Sequence, residues 1–154
     1  MPELPRLDAP GFVVNWAARL FGRALDQRIA SLGVTHGRWP VLQALYEEDG
    51  LTQTELAGRL SIEQPTMANT LKRMERDGLV RRAPDPDDRR RAHIHLTEEA
   101  RHLETPLAAC ARAVNVCALE GLDSAEIAAF MAVLRRVVDN LMQDETSDER
   151  PARG

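Results

Sequence analysis

Apolar residues recur at steps of three and four along the N-terminal part of the chain. The stripe consists of Val13, Trp16, Ala17, Leu20, Phe21, Ala24, Leu25 and Ile29. This period predicts one amphipathic helix, and Gly33 follows it as a stop signal. Residues 1–9 lack the period, and we expect them to form a flexible arm.

Two shorter helical patterns follow. Thr35 is a candidate cap for the second helix, which should end at the turn Asp49–Gly50. Its inward face is predicted to consist of Trp39, Leu42, Leu45 and Tyr46. Thr52 and Glu55 stand three apart as a capping box, which predicts the start of a third helix. The inward side chains of that helix are expected to be Leu56, Ala57 and Leu60.

A fourth helix and a hairpin make up the middle of the chain. The helix is predicted over residues 63–77, with Gly78 as its C-terminal breaker. Its buried side chains should be Met67, Leu71 and Met74. Residues 79–83 are short and β-capable, and residues 92–96 alternate apolar and polar positions, which predicts two strands. The charged, proline-containing loop between them is the tip of the hairpin.

Two further helices complete the pattern. Thr97 is the predicted cap of the fifth helix, and Pro106 should bend it. Its apolar seam is Leu103, Leu107, Cys110, Val114 and Cys117. Gly121 ends that helix, and Asp123 starts the sixth. The sixth helix carries the stripe Ile127, Phe130, Met131, Leu134, Val137, Val138 and Leu141. Residues 144–154 are polar, and we expect them to be disordered.

Composition narrows the class of protein. Of the 154 residues, 44% are hydrophobic, 29% charged and only 4% aromatic, which is typical of a soluble globular protein built from aliphatic helices. The chain contains neither the roughly 20 consecutive apolar residues of a membrane span nor a recognisable signal peptide, so we expect a cytoplasmic protein without membrane contact.

The sequence offers little for catalysis or metal binding. Cys110 and Cys117 lie seven apart on one helical pattern, about 10.5 Å of rise, too far for an unstrained disulfide. We interpret both as core thiols, and His93 and His95 as exposed strand residues. Neither a metal-ligand spacing, a phosphate-binding glycine loop nor a nucleophile elbow is present, so we expect no enzyme, metal or cofactor.

Charge is distributed unevenly along the chain. The net charge is −4, yet residues 65–97 hold eight Lys and Arg against five acidic residues. A positive centre on an acidic body can orient a protein on a polyanion. A solvated surface face is the alternative interpretation of such a charge run.

The order of elements predicts the fold class. Helix, tight turn, helix, strand, charged loop and strand is the order of a winged helix-turn-helix, here flanked by helices, so the chain should be mainly α with a small β-wing. The diameter of an α-helix matches the major groove of duplex DNA. The fourth helix offers polar side chains outside its core face. The candidates for base contact are Gln64, Thr66, Asn69 and Thr70, and those nearer phosphate are Arg73 and Arg76. Pro65, also outside the core face, is counted among the DNA-binding residues.

Several short runs resemble one known family. These runs are Leu51–Ala57, Ile62–Thr66, Leu79–Arg82, Pro84–Arg90 and Leu96–Thr97. Together they are similar to the MarR family of bacterial transcriptional regulators, and Ile62–Thr66 resembles its SlyA-like branch. The resemblance spans roughly residues 10–142, and its specific part is the acid-plus-arginine wing between two strands.

The resemblance implies a domain organisation. Residues 35–97 would be the DNA-binding domain, and residues 10–34 and 98–143 a helical region that pairs two subunits through the first, fifth and sixth helices. A two-fold dimer would place its recognition helices about 34 Å apart and prefer a near-palindromic operator in double-stranded DNA.

It also implies roles for the wing residues. The helix 63–77 would enter the major groove, and Arg90 in the wing 84–91 would enter the minor groove. Asp88 would pair with Arg73 and with wing arginines and so hold the wing in place, while Arg89 and Arg91 would contact phosphate or pack the wing. A merely solubilising loop is the rival interpretation.

Finally, the family implies control by a small aromatic or phenolic acid bound between the dimer helices and the DNA-binding lobe. An arginine could hold the carboxylate while tryptophan packs on the ring. The candidate lining residues are Trp16, Arg19, Arg23, His36, Arg38 and Trp39. Both tryptophans lie on apolar stripes, so core packing is the alternative for them.

A second class of function remains open at this point. A winged helix can dock a protein instead of DNA, and such an interaction module without operator binding would fit the overall acidity of the chain.

Overall fold

The structure, a computed structural model, describes residues 8–88 and 90–148. Most of the predicted arm 1–9, the wing residue Arg89 and residues 149–154 therefore lie outside the described residues. Two compact units are present, one ending at Asn115 and the next beginning at Val116. The elements, in chain order, are α1 (Pro10–Ile29), a 3-10 turn (Ala30–Leu32), α2 (Trp39–Glu47), β1 (Leu51–Thr52), α3 (Gln53–Leu60), α4 (Gln64–Arg76), β2 (Val80–Pro84), β3 (Ala92–Leu96), α5 (Glu98–His102), α6 (Glu104–Ala118) and α7 (Ser124–Asp148).

Local capping signals fix several of the helix starts. The Thr52 hydroxyl accepts a hydrogen bond from the Glu55 N–H, and the Glu55 carboxylate accepts one from the Thr52 N–H, so the predicted capping box of α3 is confirmed. Thr97 likewise accepts from the Ala100 N–H at the start of α5. Asp123 accepts from the N–H groups of Ala125 and Glu126 at the start of α7.

The predicted start of the second helix and the predicted continuity of the fifth helix differ from the structure. Thr35 is not a cap, because α2 begins at Trp39 after Arg38, with Pro40 in its first turn, where a missing N–H breaks no helical bond. The predicted fifth helix is two helices that meet at Leu103. Pro106 has no N–H to donate four residues back, and this explains the interruption.

The C-terminal helix is longer than predicted. Helix α7 runs to Asp148, so residues 144–148 of the predicted disordered tail are helical. Polar side chains do not end a helix when neither proline nor glycine interrupts it, and this segment has neither.

The sheet has three antiparallel strands in the order β1–β3–β2. The hairpin pairs Val80 with Leu96 and Pro84 with Ala92, which confirms the predicted wing. Pro84 is tolerated because β2 is an edge strand. Strand β1 was not predicted, since two residues are too few to show a period; it pairs Leu51 with Ile94.

The core of the first unit lies in the middle of the chain. Met67, Leu71 and Met74 of α4 are fully buried as predicted, together with Leu42, Leu45, Leu56 and Ile94. Helix α1 contributes only Gly22 and Ile29 to the buried residues. The core therefore holds α4 firmly by one face and leaves its other face available.

The second unit, taken by itself, consists chiefly of α7. Its predicted stripe is present, but α7 contains no buried residue among the side chains described. Phe130, Val138 and Leu141 are 44%, 52% and 61% exposed.

Candidate nucleic-acid interface

Helix α4 presents a polar face to solvent. Gln64, Pro65, Thr66, Asn69, Arg73 and Arg76 are exposed, and Thr70 is half-buried. The opposite face is the fully buried trio Met67, Leu71 and Met74. Since three anchored side chains fix the rotation of the helix, the polar groups face outward in a defined array. The structure thus brings together the side chains that the sequence selected on this helix.

Hydrogen bonds link α4 to its neighbours at both ends. At its start, the Gln53 amide donates to the Gln64 side-chain oxygen over 3.1 Å, which joins α3 to α4. At its end, Asp77 accepts from Arg76 at 2.8 and 3.2 Å and pairs with Arg38 at 2.6 Å. The hydrogen bond from Arg76 is the main reason that the pKa of Asp77 lies below its usual value.

These contacts change the interpretation of two arginines. Arg76 is already paired with a carboxylate, so its guanidinium is less available for phosphate than that of Arg73. Arg38 was predicted to line a ligand pocket; instead it joins the start of α2 to the residue that ends α4.

Asp85 organises the wing. One carboxylate oxygen accepts from the N–H groups of Asp87 and Asp88, at 2.8 and 3.1 Å, and the other lies 2.9 Å from the His93 Nε2. The Asp85 N–H donates to the Arg91 carbonyl over 3.0 Å, which closes the loop. The bond from the Asp87 N–H, followed by that from His93, holds the pKa of Asp85 below its usual range.

The predicted pair of Asp88 and Arg73 is absent from the ion pairs of the described residues. The Asp88 carboxylate accepts instead from the Arg90 N–H at 2.9 Å, two residues away, a local turn that competes with distant partners. The ion pair between α4 and the hairpin joins Glu75 to Arg82 at 3.3 Å. Sequence reasoning missed Arg82 because its strand position did not reveal which face it occupies.

A groove of about 470 Å³ lies between the start of α3 and the wing. Arg82, Arg90 and Arg91 line it, opposite the run from Thr52 to Glu55. Arg91 lies 3.9 Å from Glu55, whereas Arg90 is exposed and takes part in no ion pair among the residues described. A helix N-terminus adds positive potential to this cationic groove. The capping box was the sequence signal that could have located it.

His93 and His95 are half-buried and hydrogen-bonded, contrary to the prediction that they are exposed. The ring of His93 lies 2.7 Å from the Gly50 carbonyl through Nδ1 and 2.9 Å from Asp85 through Nε2. His95 Nδ1 lies 3.2 Å from Asp49. Alternation with Ile94 predicted the correct face, but the turn at Asp49–Gly50 covers that face in the fold.

A separate cleft of about 520 Å³ opens between α1, α2 and α6. Two predicted residues, His36 and Trp39, line it; Trp16, Arg19, Arg23 and Arg38 do not. The cleft faces the Phe21, Gly22 and Leu25 side of α1. Helical spacing alone did not tell which side of α1 would meet α6. The remaining lining residues are Ala18, Gln43, Ala108, Ala111, Arg112, Val114 and Asn115.

Asp26 orients His36 at this cleft. Its carboxylate accepts from the His36 backbone N–H at 2.7 Å and lies 2.5 Å from Nδ1 of the ring. Burial opposes ionisation of Asp26, but these bonds outweigh it, so the pKa of Asp26 lies below its usual value. A Cβ on Gly22 would lie 2.9 Å from the His36 ring, so glycine permits this close approach.

The remaining candidate residues add little chemistry. The Cys110 Sγ donates to the Arg28 carbonyl over 3.6 Å in a half-buried position, whereas Cys117 is exposed, which corrects its assignment to the core. Within residues 8–88 and 90–148, His, Cys, Asp and Glu form no group of three that could hold a metal ion. In the same ranges, no helix is long and apolar enough to cross a membrane.

Comparison with known proteins places this geometry in context. A model of the MarR family matches residues 34–92. The HTH-type transcriptional regulator TtmR of Methylorubrum extorquens strain PA1 is 35% identical over 141 residues, which cover 92% of this chain and 71% of the relative.

Two solved structures share the fold over most of their length. The transcriptional regulator PcaV of Streptomyces coelicolor, solved with its natural ligand, is 28% identical with a TM-score of 0.80, covering 90% of this chain and 98% of its own. The transcriptional regulator SlyA is 25% identical with a TM-score of 0.76, covering 85% and 95%. Both similarities agree with the winged helix described above.

Proposed function

The chain belongs to the MarR family of transcriptional regulators, and from this premise we propose that it binds a near-palindromic operator in double-stranded DNA as a homodimer. The observation that carries the proposal is the anchored α4, which turns one face to the core and a polar face to solvent. Residues 35–97 would form the DNA-binding domain. Such a regulator works where the chromosome lies, so we expect a cytoplasmic protein.

Base contacts are assigned to the exposed side chains near the start of α4. Gln64, Thr66 and Asn69 offer donors and acceptors at helical spacing, and Asn69 can bind adenine with two hydrogen bonds. Pro65 lies among them and adds an apolar contact. Thr70 is half-buried and would reach at most the edge of the groove.

Phosphate and minor-groove contacts are assigned to the arginines. Arg73 is exposed and joins no ion pair among the residues that the structure describes, so it is free for phosphate. Arg90 is free in the same sense and would enter the minor groove. Arg91 and Arg82 line the groove beside α3, next to a helix N-terminus, and a backbone phosphate bound there would compete with Glu55 for Arg91 and with Glu75 for Arg82. Arg76 and the undescribed Arg89 would support this set.

Pairing of two subunits is assigned to the terminal helices, over residues 10–34 and 98–143. On α1, six apolar side chains are 37–52% exposed, a density that an isolated subunit would not keep in water. Helix α7 has its own exposed apolar stripe. A second copy of the chain is the partner that would cover each of them.

The cleft between α1, α2 and α6 is assigned to a small aromatic or phenolic acid. Trp39 and Phe21 supply ring surfaces, and Arg112 supplies a guanidinium for the carboxylate. His36, oriented by Asp26, adds a second polar group. The bound ligand of PcaV supports ligand control, and a ligand that binds the free form better than the DNA-bound form would release the operator.

The operator proposal is tested with the duplex upstream of this protein's own gene. Fluorescence anisotropy should show specific binding, and Arg90→Ala should weaken it about tenfold or more while reducing the salt slope by about one. Arg28→Ala, an equal charge change on α1, is the control and should leave affinity within about twofold. Unchanged affinity of Arg90→Ala would remove the wing from the mechanism. Absence of specific binding by the wild type would favour the protein-docking alternative.

The ligand proposal is tested by thermal shift with 4-hydroxybenzoate. A ligand that binds the folded protein raises its stability by mass action, so Tm should rise with ligand concentration. Arg112→Gln should abolish most of that rise, whereas Arg19→Gln, outside the cleft, should leave it unchanged. Cyclohexanecarboxylate, which has the carboxylate but no aromatic ring, is the control ligand for the contribution of aromaticity to the rise in Tm. An equal response of both arginine variants would contradict the assignment of Arg112.

A further inference from the structure

Both ring nitrogens of His93 face hydrogen-bond acceptors. Nδ1 lies 2.7 Å from the Gly50 carbonyl oxygen, and Nε2 lies 2.9 Å from a carboxylate oxygen of Asp85. Neither oxygen has a proton to donate. A neutral imidazole carries one N–H and one lone pair, so it can satisfy only one of these contacts. The imidazolium donates at both nitrogens and satisfies both.

The bridge joins the fixed part of the fold to the base of the wing. Gly50 is held in place, because its N–H donates to the Ile94 carbonyl over 3.0 Å. Asp85 begins the loop after β2 and accepts from the N–H groups of Asp87 and Asp88. His93 therefore connects the edge of the core to the residue that shapes the wing.

The charges around His93 come from several elements. Asp85 in the wing and Glu55 on α3 favour the cation, and Arg91 in the wing opposes it. On its own strand, the His95 ring lies 6.4 Å from the His93 ring, and His95 shares Asp49 with Arg101 of α5. The balance favours a charged His93. Hydrogen bonds to Gly50 and then to Asp85 raise the pKa of His93 above its usual value, despite partial burial and Arg91.

We propose that His93 is a protonation-dependent latch that positions the wing, so that the protein binds its operator more tightly below neutral pH than above it. The inference rests on the proposed function for its DNA readout. Loss of one proton turns a ring lone pair toward an oxygen and breaks one of the two contacts. The loop that carries Arg90 then loses this link to the core and keeps the longer contact of Arg91 with Glu55 at 3.9 Å.

The pH window follows from the two partners. Asp85 must be ionised, which holds above its lowered pKa. The contribution of His93 is complete below the ordinary histidine pKa of about 6.5 and is lost as pH rises through its raised value in the folded protein. The latch is therefore closed in mild acid and opens toward alkaline pH.

The key variant is Asp85→Asn. It keeps the oxygen that accepts from Asp87 and Asp88 but replaces the other oxygen with an NH₂ donor. That donor faces the lone pair of a neutral His93, so the substitution should favour the neutral ring without unfolding the turn. Glu47→Gln, at an exposed position on α2, is the matched control for the loss of one carboxylate.

The first readout needs no DNA. An NMR titration of the histidine side chains in the full-length protein should give His93 a midpoint above the ordinary histidine value of about 6.5. Asp85→Asn should lower that midpoint by about one pH unit, whereas Glu47→Gln should leave it unchanged. Wing amide protons should exchange faster, after correction for intrinsic rates, at pH 8 than at pH 6 in the wild type only. A wild-type His93 midpoint at or below about 6.5, or one unchanged by Asp85→Asn, would overturn the latch.

The second readout is operator affinity by anisotropy. Between pH 6 and 8 the wild-type Kd should rise about three- to tenfold more than that of Asp85→Asn, and Glu47→Gln should follow the wild type. His93→Lys keeps the charge but not the two-sided bridge, and it should bind weakly at both pH values. Wild-type affinity of His93→Lys at pH 6 would mean that charge alone matters and would reject the latch. If neither the wild type nor any variant binds the operator at any pH, the proposed function fails. The histidine titration and the amide hydrogen exchange then still decide whether the latch exists.

Discussion

The winged part of the chain, residues 51–96, and helix α1 differ in how far their apolar side chains are buried. In the winged part, Leu56, Met67, Leu71, Met74 and Ile94 are fully buried by contacts within the chain. Helix α1 is 20 residues long yet buries only two of them. Its large apolar side chains, including Trp16 at 52% and Leu20 at 47%, remain exposed.

This difference separates a region whose apolar side chains are covered within the chain from one whose apolar side chains are exposed. The core of the winged part excludes water with side chains of the same chain, among them Leu42 and Leu45 of α2 and Ala100 of α5. The apolar face of α1 gains the same benefit only when another surface covers it. DNA reading and subunit pairing would therefore rest on different sets of contacts, and substitutions can address them one at a time.

The largest expected effect comes from breaking the core of the winged part. Leu71→Ala removes a fully buried side chain from α4 and should lower the free energy of unfolding by about 2–5 kcal/mol, measured by denaturant titration. Lys72→Ala, its exposed neighbour, should change it by less than about 0.5 kcal/mol. Similar losses for both variants would contradict a core that is complete in one chain.

A somewhat smaller effect is expected at α1. Leu20→Glu would place a charge on the surface that a second chain is proposed to cover, and the dimer dissociation constant should rise about 100-fold, or about 2.7 kcal/mol. Analytical ultracentrifugation measures it, with circular dichroism to check that helix content is kept. Gln27→Glu, an exposed polar position on the same helix, is the control. A wild-type protein that sediments as a single subunit would refute the pairing proposal.

The smallest effect tests polar contacts beside the wing. Asp49 accepts from the Leu96 N–H at 2.8 Å, from Arg101 at 2.6 Å and from His95 at 3.2 Å. Asp49→Ala should lower the free energy of unfolding by about 1–3 kcal/mol at neutral pH. Glu47→Ala, an exposed position on α2, should change it little.

The pH dependence sharpens the Asp49 prediction. Burial opposes its ionisation, but the bonds from Leu96 and His95 and the charge of Arg101 outweigh burial, so the pKa of Asp49 is lowered. Its stabilisation is complete above the ordinary aspartate pKa of about 3.9 and is lost as pH falls through the lowered value. Wild type and Asp49→Ala should therefore converge in acid. A difference that persists unchanged at low pH would contradict this account.

Features that depend on near neighbours in sequence were predictable. The capping box of Thr52 and Glu55 is confirmed because its hydrogen bonds join residues three apart. The buried trio of α4 is confirmed because helical geometry alone places Met67, Leu71 and Met74 on one side. The resemblance to the MarR family, carried by short local runs, is confirmed as well.

Features that depend on residues far apart in the sequence were not predictable. The sequence contains several acidic residues that could form an ion pair with Arg38. Asp77 is the partner because α2 packs against the end of α4. The Asp88 carboxylate accepts a hydrogen bond from the nearby Arg90 N–H and does not pair with the distant Arg73. The cleft takes Arg112 from α6, far along the chain from the arginines that the sequence suggested.

By itself, the sequence determined where α3, α5 and α7 begin, which side of α4 is apolar, and that a charged wing follows it. These properties arise from the backbone geometry of a few consecutive residues. The tertiary structure alone decided that His93 lies between Gly50 and Asp85, that Arg82 pairs with Glu75, and which side of α1 faces a cleft. Such contacts depend on how separate elements pack. The sequence offers many residues of the same charge as possible partners, and only the packed structure shows which of them are in contact.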